Sequence, residues 1–409
     1  MIHEPIDLVC VSHLWWDWVW QRPQHLMSRL SQQRGVLWIE EPRIEIGEPY
    51  EGFEVIEERP KLQVARLRYR SDTPTFWQRL NDRLDQTGAQ AFKVSDDIRE
   101  AGLLFESPFQ PRLEREVVEF VAARRAVPLV LWLYTPAVVH FIDLLQPDLV
   151  VYDVMDELSA FKFAPARLKQ QEQELLARAD LVFTGGPSMF EARQALHPDI
   201  HLFPSGVEQQ HFAQALENDL VVPDAVRDLQ HPVIGYHGVI DERIDLPLLA
   251  QAAELRPDWN WVLIGPILKI QERDLPRMPN IHYVGKQPYA DLPAFLRAFD
   301  VAMMPFARND ATRSISPTKT LEYMAAHKPI VSTSITDVRS LYGAVVRFAD
   351  TAEAFVQQIH AALDEPTQTR QDRARREADL LSTYAWDQIA HDMQTLIEDR
   401  IERKIAAQR

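Results

Sequence analysis

The stretch Ser314–Thr333, SISPTKTLEYMAAHKPIVST, predicts a short amphipathic helix followed at once by a buried strand. Ser316 is a good N-cap residue, and Pro317 suits the first helical position because its fixed φ is already helical. This start leaves the backbone N–H groups of Thr318 and Lys319 near an open helix end. Such an end attracts anions through its free donors and the helix dipole.

Lys319 and Glu322 are three residues apart, so they lie on one face of the predicted helix. A lysine in the first turn opposes the helix dipole and fits better there if an anion lies nearby. A glutamate one turn deeper can accept two hydrogen bonds from a vicinal diol such as a ribose. The pattern therefore indicates a site for a nucleoside diphosphate. The alternative is a capped surface helix with an ordinary Lys–Glu pair.

The rest of the chain alternates strand-like apolar runs with amphipathic helical patterns. This alternation predicts an α/β protein with doubly wound parallel sheets, and it occurs in two sets. We predict an N-terminal Rossmann-like domain over residues 1–205 and a second over 206–382. A C-terminal helix within 383–409 is predicted to pack back on the first domain. The pattern between about residues 41 and 110 is less regular and supports no prediction of secondary structure.

Composition excludes several classes of protein. The 409 residues carry a net charge of −16, which disfavours general binding to nucleic acid or to anionic membranes. No apolar run reaches the ~18 residues of a membrane-spanning helix, and the N-terminus has no basic region typical of a signal peptide. The chain has a single cysteine, Cys10, so a disulfide within the chain is impossible, which suits a reducing compartment. Cys10 lies in an apolar, strand-like run. No GxGxxG or GxxxxGK[ST] motif occurs, and no residues have the spacing of a metal site.

A second candidate binding region is GYHGVIDERIDLPLL, residues 235–249. His237 and Gly238 follow a predicted strand, at the end where open α/β sheets bind their ligands. Glycine there lets backbone approach a phosphate, and Arg243 could reach it. Gly265 and Gln287 end the next two strands in the same way. The alternative for each is an ordinary β–α turn.

Two regions of the first domain could bind an acceptor or act in catalysis. YDVMDELSAF, residues 152–161, places Asp153 and Asp156 after a buried strand, where a carboxylate can act as a general base or simply cap the next helix. HLWWDWVWQRPQHL, residues 13–26, has four tryptophans in six positions, with Asp17 and Arg22 as its polar members. Flat rings such as Trp16 can stack on sugars or fill a domain interface. His13 and His140 are more readily explained as structural residues.

Several stretches together resemble glycosyltransferases of the GT-B fold, family 4-like, as found in bacterial cell-surface polysaccharide synthesis. They are QRPQHL, FPSGVEQQHF, GYHGVIDERIDL, NWVLIGP, IHYVGKQPYADLPAFLRAFDVAMMPF and SISPTKTLEYMAAHKPIVST. The resemblance covers nearly the whole chain. It implies two Rossmann-like domains facing across a cleft, with the acceptor on the first domain and a nucleotide-sugar donor on the second.

The resemblance also implies residue roles. Glu322 matches the second glutamate of the family's Glu-x7-Glu pattern, which binds the ribose, whereas the first falls on Ser314, so the usual contact to the donor sugar is altered. Lys319 and Arg243 become candidates for the diphosphate, with the helix start from Ser316 to Thr318 beside them. No residue securely matches the family's histidine of the first domain, and Asp156 occupies a comparable strand end.

The implied reaction moves a sugar from a nucleotide-diphosphate sugar, with UDP as the commoner nucleotide, to an acceptor hydroxyl. The resemblance implies retention of configuration, whereas a general base at Asp156 in line with the bond would favour inversion, and both outcomes stay open. Independence from metal and other cofactors is expected. The expected partners are the donor and a carbohydrate or lipid-linked acceptor, with no nucleic acid. The expected location is the cytoplasm, with peripheral contact at the inner membrane. Two alternatives stay open: a nucleotide-sugar epimerase of the same fold and a non-catalytic nucleotide-sugar-binding partner subunit.

Overall fold

A computed structural model of the protein describes residues 5–17, 20–46, 50–71, 110–160, 165–268, 270–309, 312–313 and 315–407. These residues form two compact units. The first unit contains the described residues up to Pro204 together with those from Asp387 onward. The second unit contains the described residues of Ser205–Trp386.

The first unit is built on an eight-stranded sheet with the order β3-β4-β2-β1-β5-β6-β7-β8. All neighbours are parallel except the edge strand β3, which is antiparallel to β4. The strands are β1 (Ile6–Val11), β2 (Val36–Ile46), β3 (Tyr50–Arg59), β4 (Leu62–Ser71), β5 (Arg125–Leu133), β6 (Leu149–Val154), β7 (Leu181–Thr184) and β8 (Ile200–Leu202). The α-helices are Arg22–Leu30, Gln110–Ala122, Phe141–Leu145, Leu168–Arg178, Pro187–Arg193 and Trp386–Ala407.

The second unit is built on a six-stranded, all-parallel sheet with the order β11-β10-β9-β12-β13-β14. Its strands are β9 (Val233–His237), β10 (Asn260–Ile264), β11 (Ile281–Gly285), β12 (Val301–Met304), β13 (Ile330–Ser332) and β14 (Val346–Phe348). Its α-helices are Gln209–Ala213, Asp224–Arg227, Leu246–Leu255, Leu292–Arg297, Lys319–Ala325, Thr336–Tyr342, Ala352–Leu363 and Thr367–Thr383.

Central strands of both sheets are apolar along most of their length because both faces are covered. Every residue of β6 and of β12 is buried. Strands buried on both faces are typical of a parallel sheet covered by helices, whereas an antiparallel sheet often has one solvent-exposed face. The predicted alternation of strands and helices in two parallel sheets is confirmed.

Several elements were not predicted, among them an antiparallel strand pair and a short helix. The antiparallel pair β3–β4 lies in the stretch where the pattern was irregular, and a bulge between Val55 and Glu57 breaks its alternation of apolar and charged residues. The helix Thr336–Tyr342 is seven residues long, which is too short for its periodicity to stand out.

The C-terminal helix Trp386–Ala407 lies on the first unit from Asp387 onward. Arg34 donates from Nε to Gln394 at 2.8 Å, and Lys404 donates from Nζ to Asp180 at 2.8 Å. Arg29 donates from Nε to Asp387 at 2.6 Å. These polar contacts tie the end of the chain to elements that are more than two hundred residues earlier.

Candidate functional site

The strand order of the second sheet places a candidate site at the end of β9. Counted along the chain from β9, the order is 3-2-1-4-5-6, so the direction of chain progress reverses between β9 and β12. Ligands of open α/β sheets bind beyond the carboxyl ends of the strands at such a reversal. At this point lie His237, which ends β9, and Gly238, which follows it.

Two glycines at this sheet edge adopt backbone conformations that other residues avoid. Gly238 has φ +132° and Gly265 has φ +147°. A Cβ on Gly265 would lie 2.0 Å from the carbonyl oxygen of Gly238, so the two strand ends pack with no room for a side chain. Glycine at both positions therefore allows the two strand ends to pack directly against each other.

Lys319 lies directly over Gly238. A Cβ on Gly238 would be 2.6 Å from Lys319 Cε and 2.8 Å from Nζ. The ammonium also lies 5.6 Å from the ring centre of Tyr236 and 6.0 Å from that of Phe306. Burial lowers the pKa of Lys319 to about 8, while the charges of Glu322 and Asp241 act in the opposite direction. Among the described residues, no carboxylate forms an ion pair with this lysine.

Glu322 lies on the same helix, in contact with His237. Its Oε2 is 3.1 Å from His237 Nε2, a close contact that lacks the direction of a hydrogen bond. Burial acts to raise the pKa of Glu322, but His237, Lys319 and the Thr318 hydroxyl outweigh it and leave the pKa below its ordinary value. The carboxylate is therefore ionised at neutral pH although only 14% of the side chain is exposed.

Aromatic rings hold His237 in place. Phe212 stacks on its ring at 6.2 Å with an interplanar angle of 18°, and Tyr323 meets it edge-on at 5.0 Å. The backbone N–H of His237 also donates to the Tyr323 hydroxyl at 3.0 Å. The imidazole is thus fixed against Glu322 from two sides.

Arg243 is oriented by Asp241, a residue that the sequence pattern did not single out. Asp241, only 1% exposed, accepts from Arg243 Nε at 3.0 Å and from Nη2 at 2.7 Å. Oδ1 of Asp241 also accepts the backbone N–H of Arg243 at 3.0 Å. The aspartate two residues before an arginine was a weak sequence signal for such a turn.

The predicted helix start is wrong by two residues. The helix begins at Lys319 and is preceded by Thr318, so Ser316 is not its N-cap and Pro317 is not its first residue. The carbonyl of Pro317 instead accepts the N–H of Thr320 at 3.2 Å in a tight turn before the helix. Glu322 keeps its place in the first turn, and the pairing with Lys319 on one face survives the shift.

Other donor-side predictions have different outcomes. Gln287 lies after β11 and donates to the carbonyl of Val284 at 3.3 Å, so its contact with a donor stays a prediction. Ser314 lies outside the described residues. Arg313, the residue before it, is exposed.

In the first unit, three of the residues predicted to contact an acceptor are buried. Arg22, 1% exposed, donates from Nε to both carboxylate oxygens of Asp153, which is fully buried, at 3.0 Å. Arg22 Nη1 also donates to the carbonyl of Phe203 at 2.6 Å. Trp16 is 3% exposed and meets Trp38 edge-on at 5.1 Å. These side chains lie in the interior, so direct contact with an acceptor by Arg22, Asp153 and Trp16 is corrected to a structural role.

Asp17 and Asp156 remain accessible candidates. The Asp17 side chain is 60% exposed, and its carboxylate lies 3.9 Å from Arg66 Nη2. Asp156 is half-buried in the loop after β6, at the strand end where the sequence predicts it. Their roles stay predictions.

Residues 231–365 match the family model described as Glycosyl transferases group 1. The matched residues lie within the second unit. The region matched includes β9, Asp241, Arg243, Lys319 and Glu322. The candidate site at the end of β9 therefore lies within the residues that match the family model.

One relative is similar to this chain in sequence. A Bacillus subtilis (strain 168) glycosyltransferase, whose name assigns it provisionally to teichuronic acid biosynthesis, is 24% identical over 223 residues. The match covers 50% of this chain and spans only 55% of the relative's length.

Solved structures establish the GT-B fold over nearly the full chain. Sucrose-phosphate synthase from Thermosynechococcus elongatus is similar with a TM-score of 0.69 and 16% identity, covering 97% of this chain and 99% of that one. An α,α-trehalose 6-phosphate synthase from Burkholderia multivorans has a TM-score of 0.66 and 13% identity, with both chains fully covered. A trehalose-6-phosphate structure from E. coli bound with UDP-2-fluoro glucose has a TM-score of 0.63 and 14% identity, covering 96% and 98%. The predicted GT-B fold is confirmed.

Metal-binding clusters and membrane-spanning helices are both absent from the described part of the chain. Within the described ranges, no group of three or more His, Cys, Asp or Glu side chains could hold a metal ion. No helix among the same residues is long and apolar enough to cross a membrane.

Proposed function

We propose that the protein is a glycosyltransferase that moves a sugar from a UDP-sugar to an acceptor hydroxyl in cell-surface polysaccharide or glycolipid synthesis, with retention of configuration. The observation that carries the proposal is the placement of Lys319 and Glu322 on one helix face at the end of β9. A lysine that pairs with no carboxylate among the described residues lies over glycine backbone of positive φ, and an ionised, largely buried carboxylate lies one turn deeper. This combination fits a diphosphate and a ribose.

The diphosphate is proposed to lie against Lys319 and the backbone near Gly238. An ammonium whose pKa is near 8 is protonated at neutral pH, and partial burial strengthens its attraction for an anion. When the bond between the sugar's anomeric carbon and the diphosphate oxygen breaks, the electron pair stays on the diphosphate. Lys319 and Arg243 would stabilise that charge, which is an electrostatic contribution to catalysis.

The ribose is proposed to lie against Glu322. One carboxylate oxygen lies 3.1 Å from His237 Nε2, and the carboxylate is proposed to accept hydrogen bonds from the sugar diol. Charge-assisted hydrogen bonds of this kind contribute roughly 1.5–3 kcal/mol each. UDP is proposed as the first nucleotide to test because one of the similar structures is bound with UDP-2-fluoro glucose.

The remaining parts of the proposal concern the acceptor and metal. The acceptor hydroxyl supplies the attacking oxygen and passes its proton to the departing diphosphate on the same face of the sugar, and Asp156 is our candidate to orient that hydroxyl. Lys319 and Arg243 are proposed to make a divalent metal unnecessary. Activity that survives EDTA would support this, and activity that EDTA abolishes and Mg²⁺ restores would contradict it.

Calorimetry and thermal shift with UDP, GDP, ADP, TDP and CMP test the donor site. We expect UDP to bind the wild type and to bind Glu322→Gln and Lys319→Met about tenfold or more weakly, since each loses a charged contact. Glu254→Gln and Lys169→Met change exposed residues elsewhere and serve as matched controls. Wild-type protein that binds none of the five nucleotides would overturn the proposal.

Product analysis separates transfer from the alternatives. NMR of the enzyme with a UDP-sugar and a pool of saccharide or lipid-linked acceptors should show UDP release and a new glycosidic signal. An epimeric sugar nucleotide formed without acceptor would indicate an epimerase instead. Binding without turnover on any acceptor would indicate a non-catalytic subunit.

A further inference from the structure

Two cations, Lys319 and Arg243, lie near two carboxylates at the end of β9. Lys319 and Arg243 are close enough that the arginine lowers the pKa of the lysine, while Asp241 and Glu322 raise it. Two like charges at one site repel each other unless a carboxylate lies nearby. Glu322 and Asp241 are the carboxylates near this pair, and Asp241, the one bound to Arg243, is 1% exposed.

The geometry fixes the direction of the Arg243 side chain. Asp241 binds Nε through both oxygens, each at 3.0 Å, and binds Nη2 at 2.7 Å. A bidentate contact of this kind fixes the plane of the guanidinium as well as its position. An arginine without such a contact would sample many rotamers and lose entropy on binding a ligand.

The loop that carries Asp241 and Arg243 is itself attached to the neighbouring strand end. The carbonyl of Arg243 accepts the N–H of Ala307 at 2.8 Å, and the carbonyl of Glu242 accepts from Asn309 Nδ2 at 3.1 Å. Ile244 bridges to Phe306 in antiparallel fashion. The guanidinium that Asp241 orients therefore belongs to a loop that is fixed on the β12 side of the site.

We propose that Asp241 is a positioning residue for the donor diphosphate, holding Arg243 toward the same anion as Lys319 and offsetting the repulsion between them. The inference rests on the proposed function and assigns a role to a residue outside the predicted site. Asp241 does not contact the donor. It acts through the two cations.

Asp241→Asn is the variant that separates charge from loop structure. Asparagine retains Oδ1, so it can still accept the backbone N–H of Arg243 and keep the turn, but it removes the negative charge. We expect UDP to bind about tenfold to a hundredfold more weakly. We also expect the alkaline limb of the pH–rate profile to move to lower pH, because Asp241 no longer supports the protonated form of Lys319. The groups that face Lys319 are Glu322, Arg243, Asp241 and the rings of Tyr236 and Phe306.

Asp241→Glu is the second variant and keeps the proposal testable if Asp241→Asn does not fold. It retains the charge but displaces the guanidinium by one methylene. We expect UDP affinity to fall while the alkaline limb stays closer to its wild-type position than in Asp241→Asn. A purely structural role for Asp241 would lower stability and leave the pH profile in place.

A double-mutant cycle gives the decisive result. In an Arg243→Met background, Asp241→Asn should cost much less UDP affinity than in the wild type, because there is no guanidinium left to orient. Equal losses in both backgrounds, or a folded Asp241→Asn with wild-type affinity and pH profile, would overturn the inference and leave the proposed function intact. Wild-type protein that binds no nucleoside diphosphate would overturn both.

Discussion

Gly238→Ala tests whether the contact between Lys319 and the end of β9 matters for donor binding. The new Cβ would lie 2.6 Å from Lys319 Cε, so the end of the lysine must move away from the site. The atoms that must give way are the far end of a flexible side chain, so the steric cost to stability is small. The backbone at φ +132° adds a strain of about 1–3 kcal/mol for any residue with a Cβ.

Two effects of different kind are therefore expected. The strain should lower the melting temperature by roughly 2–4 °C for each kcal/mol in a unit of this size. Displacement of the ammonium should weaken UDP binding by about 1.5–3 kcal/mol, which is on the order of tenfold to a hundredfold. Differential scanning calorimetry measures the first effect, and isothermal titration calorimetry measures the second.

Gly285→Ala is the matched control. Gly285 also has positive φ, +80°, but a Cβ there meets no atom within 4 Å. It should lose comparable stability and keep its affinity for UDP. In a Lys319→Met background, Gly238→Ala should cost little further affinity, because the displaced charge is already gone. If Gly238→Ala binds UDP as tightly as Gly285→Ala does, Lys319 does not act from its position over Gly238.

Three further predictions concern stability and catalysis. Burial raises the pKa of Glu377 to about 7 from an ordinary 4.5, so the folded state binds the proton more tightly than the unfolded state does. The free energy of unfolding should therefore fall by roughly 3 kcal/mol as pH rises from 4.5 through 7. Denaturant unfolding at several pH values should show a weaker dependence of stability on pH in Glu377→Gln, and an unchanged dependence would contradict the assignment. Asp153→Ala leaves Arg22 buried without its partner and should lower the free energy of unfolding in urea by about 3–5 kcal/mol. The double replacement Asp153→Leu with Arg22→Met should lower it less, because no unpaired charge stays buried. Equal losses would show that the unpaired charge is not the cause of the destabilisation. Asp156→Asn should lower turnover and spare UDP binding, and full activity in a transfer assay would reduce Asp156 to a loop residue.

Much of the fold could be predicted from local pattern. Apolar runs such as those of β6 and β12 identify buried strands because a strand covered on both faces admits few polar residues. The β3–β4 pair could not be predicted, because an edge hairpin with a bulge has a broken period. The start of the helix at Lys319 was misplaced, since Ser-Pro is a good helix start by propensity but the chain closes a tight turn there first.

Part of the candidate site could also be predicted from local sequence pattern. Lys319 and Glu322 share a face because of their spacing alone, and that survives a shift of the helix start. Arg22 and Asp153 are 131 residues apart in sequence and form a buried ion pair, which no local pattern reveals. Their charged side chains indicated a surface site, whereas the pairing lets both be buried.

The sequence by itself determined the alternation of strands and helices in two sets, the glycines at the strand ends and the Lys319–Glu322 spacing. These depend on periodicity and backbone conformation, which are local properties. Only the tertiary structure decided that Lys319 lies over Gly238 and that His237 contacts Glu322. Gly238 and Lys319 come from the ends of different strand–helix units, which meet because the chain reverses direction between β9 and β12. Contacts of this kind are set by sheet order and packing, and neighbouring residues in the chain do not encode them.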